Sequence, residues 1–339
     1  METKRFNQQE IKEAAKILRQ GGLVAFPSET VYGLGANATL EDAVKQVFIV
    51  KGRPIDNPLI VHVENFEQVK QYVDVFHPLT ETIVEKFWPG PLTLIFKIKS
   101  DALPRVVSAG LSTVSFRMPD HPLTLALIKE VGAPLVGPSA NTSGRPSPTQ
   151  SEHVYHDLNG KIAGILEGGS TTIGVESTVL DISDPTQPPM ILRPGAVTKE
   201  ALEAALKVPI LVDQHLVEES QAPRSPGMKY KHYAPKTTVW MVHSEDWQAA
   251  FDWATSNHFK IGVLASPTLQ ERFSNQMTAI YPLTDETVTA AAKGLFAGLR
   301  ALDEEQVDLI FAPVFSETGL GVAYMNRLKK AANQHFFKP

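Results

Sequence analysis

The 339-residue sequence contains no cysteine. That removes disulfides, thiolate metal sites and a cysteine nucleophile together. It has no large excess of either charge: 32 Lys and Arg stand against 37 Asp and Glu, for a formal net charge of −5. Bulk charge therefore speaks against a life on nucleic acid, though a local basic pocket is still allowed. No apolar run approaches the length of a bilayer span. The opening METKRFNQQEIKEAAKILRQ lacks the apolar core of a signal peptide, so a cytoplasmic location is the expectation. The P-loop G-x-x-x-x-G-K-[ST] is missing, as are H-E-x-x-H, G-x-S-x-G and an EF-hand loop. The ten histidines are scattered without metal-ligand spacing, and no metal held by protein ligands is expected.

What is present is the composition of an ordinary globule, 43% hydrophobic and 20% charged. The length suits about two domains. Ile11, Ala14, Ala15 and Leu18 recur at helical spacing until Gly21-Gly22 stops them. LVAF (23–26) reads as a buried strand, and Thr39 with Asp42 reads as the cap of a second helix. Further strands are predicted at 59–63, 92–98, 113–118, 133–140, 177–182 and 190–194. Helices are predicted near 66–75, 80–87, 122–131 and 199–206. Some strands follow one another directly, which predicts a mixed sheet in an α/β or α+β domain over residues 1–206. From 207 to 236 the periodicity lapses into a linker, yet SPGMKYKHYAP is basic and aromatic rather than Gly/Ser filler. Strands and helices then alternate over 237–339, predicting a smaller Rossmann-like parallel α/β domain.

Gly33-Leu34-Gly35-Ala36-Asn37-Ala38 satisfies G-x-G-x-x-A, the dinucleotide fingerprint. The context is wrong: PSETVY separates it from the strand, and the helix starts only near Leu40. The glycines more readily serve a close backbone approach. Lys51 and Arg53, in KGRPIDNPLIVHV, have two readings: cations complementing a helix C-terminus, or a grip on an anion. Three other stretches favour the second. Arg117 interrupts the apolar strand in SFRMPDHP, where a charge needs a partner. GPSANTSGRPSPT is dense in hydroxyls, amide and glycine. ILRPG again ends a strand on an arginine. PSETVYGLG and GVESTV add Glu29, Thr30, Tyr32, Glu176, Ser177 and Thr178, a set able to recognise something the size of an amino acid. His62 reads equally as a core histidine.

These stretches in this order resemble the threonylcarbamoyl-AMP synthase family, in its long two-domain form with a YrdC-type catalytic domain. The matching segments are FPSETVYGLGANA, KGRPIDNPLIVHV, FWPGPLT, VSFRMPDHP, PSANTSGRPSPT, GVESTVLDI, ILRPG and SPGMKYKHYAP, spanning residues 26 to 235. The family's K-x-R and S-x-N pair is intact as Lys51, Arg53, Ser139 and Asn141, and these motifs show no departure.

The resemblance implies a twisted mixed sheet with a large concave cavity. It implies a nucleotidyltransferase that turns L-threonine, bicarbonate or CO2, and ATP into threonylcarbamoyl-adenylate and pyrophosphate. Separate transfer proteins would carry the product to tRNA beside the anticodon; neither a membrane nor a stable nucleic-acid complex is implied. Lys51, Arg53, Ser139 and Asn141 would be catalytic, and with Asn57, Thr113, Ser147, Arg193, Tyr230 and Tyr233 would place ATP. Thr30, Tyr32, His62, Arg117, Gly137 and Ser177 would hold threonine. Mg2+ would ride on the ATP phosphates. Separately from the resemblance, the density of Tyr230, Lys231, His232 and Tyr233 in the otherwise loose linker leads to the expectation of a strap that excludes water from a labile anhydride. Two alternatives stay open: a non-catalytic RNA-binding module, and carbamoyl-adenylate chemistry on another substrate.

Overall fold

The computed structural model describes residues 2–213 and 233–339. By its contacts the chain forms two compact units. Two short pieces, 144–147 and 172–175, group with the unit formed from residue 233 onward rather than with their sequence neighbours. Most of the expected linker, with Tyr230, Lys231 and His232, lies outside the described residues.

The first unit's strands are β1 (Lys4–Phe6), β2 (Val24–Phe26), β3 (Gly33–Asn37), β4 (Ile60–His62), β5 (Leu92–Lys97), β6 (Thr113–Arg117), β7 (Leu135–Val136), β8 (Gly164–Leu166), β9 (Thr178–Asp181), β10 (Met190–Arg193) and β11 (Leu211–Val212). They form one sheet in the order β1-β8-β2-β3-β7-β4-β6-β5-β9-β10-β11. It is mixed, as expected: β4 runs parallel to β6, and β6 antiparallel to β5. Helices α1 (Ile11–Arg19), α2 (Glu41–Lys51), α3 (Phe66–Lys70), α4 (Thr80–Phe87), α5 (Pro122–Val131), α6 (Ser151–Leu158) and α7 (Lys199–Leu206) accompany it.

Period-two alternation divides the sheet's faces. In TVSFR of β6, Val114 and Phe116 enter the main core with Val61, Leu94 and Phe96. Thr113, Ser115 and Arg117 therefore share the other face. Register puts Ser115 opposite Ile60 and Arg117 opposite His62. On β6 one face is thus spent on the core, and the other carries Thr113, Ser115 and Arg117.

One local expectation is corrected. Thr39 does not cap α2: its amide and hydroxyl both donate to Asn37 Oδ1, at 3.0 and 2.8 Å. The cap residue is Leu40, without a side-chain bond. Asn37 holds Thr39 in a local side-chain turn before the helix can use it. GLGAN forms strand β3, paired with β2. Backbone does approach Gly35, where an ideal Cβ would lie 2.6 Å from the Val24 carbonyl oxygen, whereas at Gly33 the neighbour is the Phe26 ring, with Cζ at 2.6 Å.

The second unit holds β12 (Thr238–Val242), β13 (Ile261–Ala265), β14 (Ala279–Pro282) and β15 (Leu309–Pro313), all parallel, in the order β12-β15-β13-β14. Helices α8 (Trp247–Ser256), α9 (Pro267–Phe273), α10 (Val288–Glu304) and α11 (Leu320–Ala331) alternate with the strands. Burial on both faces explains their apolar runs, such as the fully buried IGVLA of β13. Among the described residues no helix is long and apolar enough to cross a membrane.

Candidate active site

Helix α2 delivers Lys51. Gly52 ends the helix in the left-handed region (φ 62°) and lets the chain turn away. Lys51 is 2% exposed, which overrules a purely solvated helix-end cation. Its ammonium donates to the carbonyl of Ser139 and, at 2.6 Å, to that of Asn141. Its own carbonyl accepts from the Ser143 amide at 2.9 Å. Lys51 thus organises the S-x-N loop. Arg53, half-buried, reaches the carbonyls of Pro58 at 3.0 Å and Asn57 at 3.3 Å. That folds the KGRPIDNP turn around a guanidinium. Asn57 Oδ1 is buried without a hydrogen-bond partner among the described residues.

The loop that Lys51 holds continues into the sheet. Gly137 donates its amide to Ile60 at 2.9 Å, Leu34 donates to Pro138 at 2.7 Å, and Ala140 donates to Tyr32 at 2.8 Å. Segment 137–141 therefore runs between the Lys51 turn and the polar face of β4 and β6. Gly137 is required to be small: an ideal Cβ there would stand 2.5 Å from Phe26 Cζ and 2.7 Å from His62 Nδ1.

On that face Arg117, 4% exposed, has the partner its burial demands. Its Nη2 is 2.6 Å from Glu29 Oε1. Nη1 donates to Thr30 Oγ1 at 2.8 Å, and Nε to the Gly90 carbonyl at 3.3 Å. Thr30 Oγ1 also contacts Ser28 Oγ at 2.9 Å. His62 meets Phe26 edge-on, with ring centroids 5.2 Å apart. Burial, helped by the Arg117 charge, pushes His62 down to about 3. It is a neutral imidazole at ordinary pH, and its Nδ1 has no hydrogen-bond partner among the described residues.

Further along, Ser177 Oγ lies 2.8 Å from Thr93 Oγ1. Arg193 donates to the Ser177 carbonyl from Nε at 3.1 Å and Nη2 at 2.9 Å, and to its hydroxyl at 3.1 Å. Arg193 therefore sets Ser177. Tyr32 is fully buried and its hydroxyl is engaged elsewhere. It donates to Gly169 O at 2.8 Å and accepts from the Gly168 amide at 3.1 Å. Its phenol is pushed up to about 12 by burial.

The structure thus joins Lys51, Ser139 and Asn141 in one group. Thr30, His62, Arg117 and Gly137 form another, joined through 137–141, and Ser177 and Arg193 form a third. Thr113 lies on the polar face of β6, two alternations from Arg117. Ser147 is buried but falls in the piece 144–147 that groups with the second unit. Tyr233 also belongs there, stacked on Phe296 with centroids 5.2 Å apart. Tyr230 lies outside the described residues. Gly90 and Thr93 lie in the FWPGPLT segment, but the sequence assigned neither to the site; the register of β5 beside β9 brings Thr93 to it. Among the described residues no cluster of three or more His, Asp or Glu is placed to hold a metal ion.

Comparison with known proteins places this geometry. A Sua5/YciO/YrdC family model, described as telomere recombination, matches residues 16–195. A second, described as threonylcarbamoyl-AMP synthase, C-terminal domain, matches 197–333. The threonylcarbamoyl-AMP synthase of Bacillus subtilis is 48% identical over 96% of this chain and 94% of its own. That of Pyrococcus abyssi is 43% identical over 98% of this chain and 97% of its own. The crystal structure of P. abyssi Sua5 complexed with L-threonine superposes with a TM-score of 0.91 at 40% identity, covering 99% of this chain and 100% of that one. Matched along both of its halves by sequence and by fold, the chain belongs to the threonylcarbamoyl-AMP synthase family.

Proposed function

We propose that the protein condenses L-threonine, bicarbonate or CO2, and ATP into threonylcarbamoyl-AMP and pyrophosphate, with Lys51, Arg53, Ser139 and Asn141 on the triphosphate and Arg117 on the amino acid. The observation that carries this division is the pair of buried cations, Lys51 and Arg117, joined through segment 137–141. Threonine's amine attacks CO2 and gives up a proton to form a carbamate; from bicarbonate, water is released. A carbamate oxygen then attacks the α-phosphorus, and pyrophosphate leaves with the electron pair of the broken P–O bond. Carboxylate, carbamate and triphosphate are all anions, so the protein's work is to neutralise and align them. No covalent nucleophile is required.

In this reading Arg117 meets the threonine carboxylate while Glu29 keeps the guanidinium aimed. Thr30, Ser177, Gly137 and neutral His62 shape the rest of the threonine pocket, and Tyr32 holds its wall through Gly168 and Gly169. Asn57, with its buried acceptor, Thr113, Ser147, Arg193 and Tyr233 complete the nucleotide's surroundings. Mg2+ enters with ATP as part of the substrate. The product feeds threonylcarbamoylation of tRNA by separate transfer proteins, in the cytoplasm.

The test is pyrophosphate release from ATP with threonine and bicarbonate, with the adenylate identified by mass. Release that does not depend on threonine supports another carbamoyl-adenylate substrate. Salt-sensitive RNA binding without any release supports the binding-module reading.

A further inference from the structure

Helix α10 has eleven of its seventeen residues buried. Gly294 and Gly298 seat one stripe of it against Tyr281: ideal Cβ atoms there would stand 3.2 and 2.8 Å from that ring. The parallel sheet thus fixes the helix. A second stripe, at 292–293, 296, 300 and 303, follows helical spacing. It holds three separate pieces of chain, all within the second unit.

Gly174 (φ +84°) presses on the helix backbone, where an ideal Cβ would lie 2.6 Å from Lys293 Cα. Phe296 stacks on Tyr233. Arg300, buried, donates to the Pro146 carbonyl from Nε at 3.0 Å and from Nη2 at 2.7 Å. Asp303 accepts the Thr237 amide at 2.7 Å and lies 3.8 Å from Arg145 Nη2. The Ala234 amide closes the set on the Gly144 carbonyl at 3.0 Å. Residues 144–147 are therefore gripped at Gly144, Arg145 and Pro146. Ser143, one peptide bond before them, has its amide on the Lys51 carbonyl, and Lys51 holds Ser139 and Asn141.

We propose that Arg300 is a positioning residue for the nucleotide subsite: by holding the Pro146 carbonyl it fixes the exit of the S-x-N loop. This gives the second unit a function in the reaction without any ligand of its own. A two-pronged guanidinium sets direction as well as distance, which a single donor does not. The inference rests on the reading of Lys51, Ser139 and Asn141 as the nucleotide subsite.

The test compares full-length Arg300→Ala, Arg300→Lys, Asp303→Asn and Asn141→Ala by threonine-dependent pyrophosphate release. KM is measured separately for ATP and threonine, alongside thermal melts. Misplacing a binding loop by about 1 Å can cost up to a hundredfold, so Arg300→Ala is expected to raise KM for ATP roughly tenfold and leave that for threonine within about twofold. Arg300→Lys should fall between it and the parent. Asp303→Asn, which removes only one charge, should move KM for ATP in the same direction by about two- to threefold. It also serves as the folded variant if Arg300→Ala does not fold. Amide exchange over residues 139–149 should quicken in Arg300→Ala while exchange in α1 stays unchanged. An unchanged KM for ATP in the folded variants, or equal rises for both substrates, overturns the proposal. If Asn141→Ala itself leaves KM for ATP untouched, the subsite reading fails instead, and the two failures are told apart.

Discussion

Arg117 Nη2 and Glu29 Oε1 stand 2.6 Å apart, both side chains almost fully buried. The strand that carries Arg117 is apolar on its other face, and the loop that carries Glu29 follows β2. The fold therefore brings the acid to a base that could not be buried alone. Removing one partner of such a pair costs about 3–5 kcal/mol, because the other charge is left behind. Arg117→Ala should lower the melting temperature and raise KM for threonine by ten- to a hundredfold, the worth of about 1.5–3 kcal/mol in a charge-assisted bond. Glu29→Gln keeps the shape and should cost less stability while still raising KM for threonine. Steady-state kinetics with threonine varied at saturating ATP decide it. A stability loss with an unchanged KM would leave the pair a purely structural feature.

Lys51 and Arg53 lie two residues apart but are held differently, and their variants should separate. Lys51 is bonded to two carbonyls of the S-x-N loop. Lys51→Met should therefore both destabilise the fold, by about 1–3 kcal/mol for acceptors left unsatisfied, and abolish most ATP use. Arg53 is more exposed. Arg53→Ala should raise KM for ATP about ten- to a hundredfold and cost less stability than Lys51→Met, because the guanidinium is half-exposed while the ammonium is buried. Parallel urea titrations and ATP-dependence curves measure both. Equal stability losses in the two variants would contradict the distinction.

His62 gives a pH signature with a definite sign. Folded, burial and the neighbouring Arg117 hold it down to about 3; unfolded, it titrates near its ordinary value of about 6.5. Between these values the unfolded chain binds a proton that the folded chain does not. The stability contribution is fully present above 6.5 and is lost as pH falls towards 3, at up to about 1.4 kcal/mol per pH unit. His62→Gln should flatten the fall between pH 6.5 and 4.5. His121 is also shifted down, chiefly by burial, so part of the slope persists in the variant. Urea unfolding at several pH values for parent and variant measures it. Identical slopes would mean that His62 charges freely in the fold.

The sequence reveals positions better than partners. Arg117 is conspicuous because a charge breaks an apolar strand, and the need for a counter-ion follows from burial alone. That the counter-ion is Glu29, some ninety residues earlier, depends on how the loop after β2 lies over β6, which no local pattern encodes. Strands β4 and β9 declare themselves through apolar runs, whereas β3 does not, because two glycines strip it of β-forming side chains. Its reason is tertiary: the ring of Phe26 occupies the space. Tyr32 looks like a pocket residue from its neighbours, yet its hydroxyl turns to Gly168 and Gly169. The grouping of 144–147 with the second unit is equally silent in the sequence, since Arg300 and Pro146 lie 154 residues apart.

The G-x-G pair supplies the sharpest packing test. Phe26 is fully buried, and ideal Cβ atoms on Gly33, Gly35 and Gly137 would each lie within 3.0 Å of its ring. Strand β3 and the loop at Gly137 thus meet on one aromatic ring, and Gly137 also abuts His62 in the threonine group. Gly33→Ala should cost about 1–3 kcal/mol through overpacking. Gly137 presses on the same ring beside His62, so a displaced ring should raise KM for threonine as well. Phe26→Leu removes the obstructing ring edge at its own cost in buried area. In the double variant the two penalties should sum to less than their separate values, because the clash exists only when both the methyl and the ring are present. A thermodynamic cycle from urea unfolding of the parent, the two single variants and the double variant measures that coupling. Strict additivity would mean that the glycines serve backbone conformation instead. The dinucleotide reading would predict a third outcome, in which Gly33→Ala leaves both stability and threonine affinity alone.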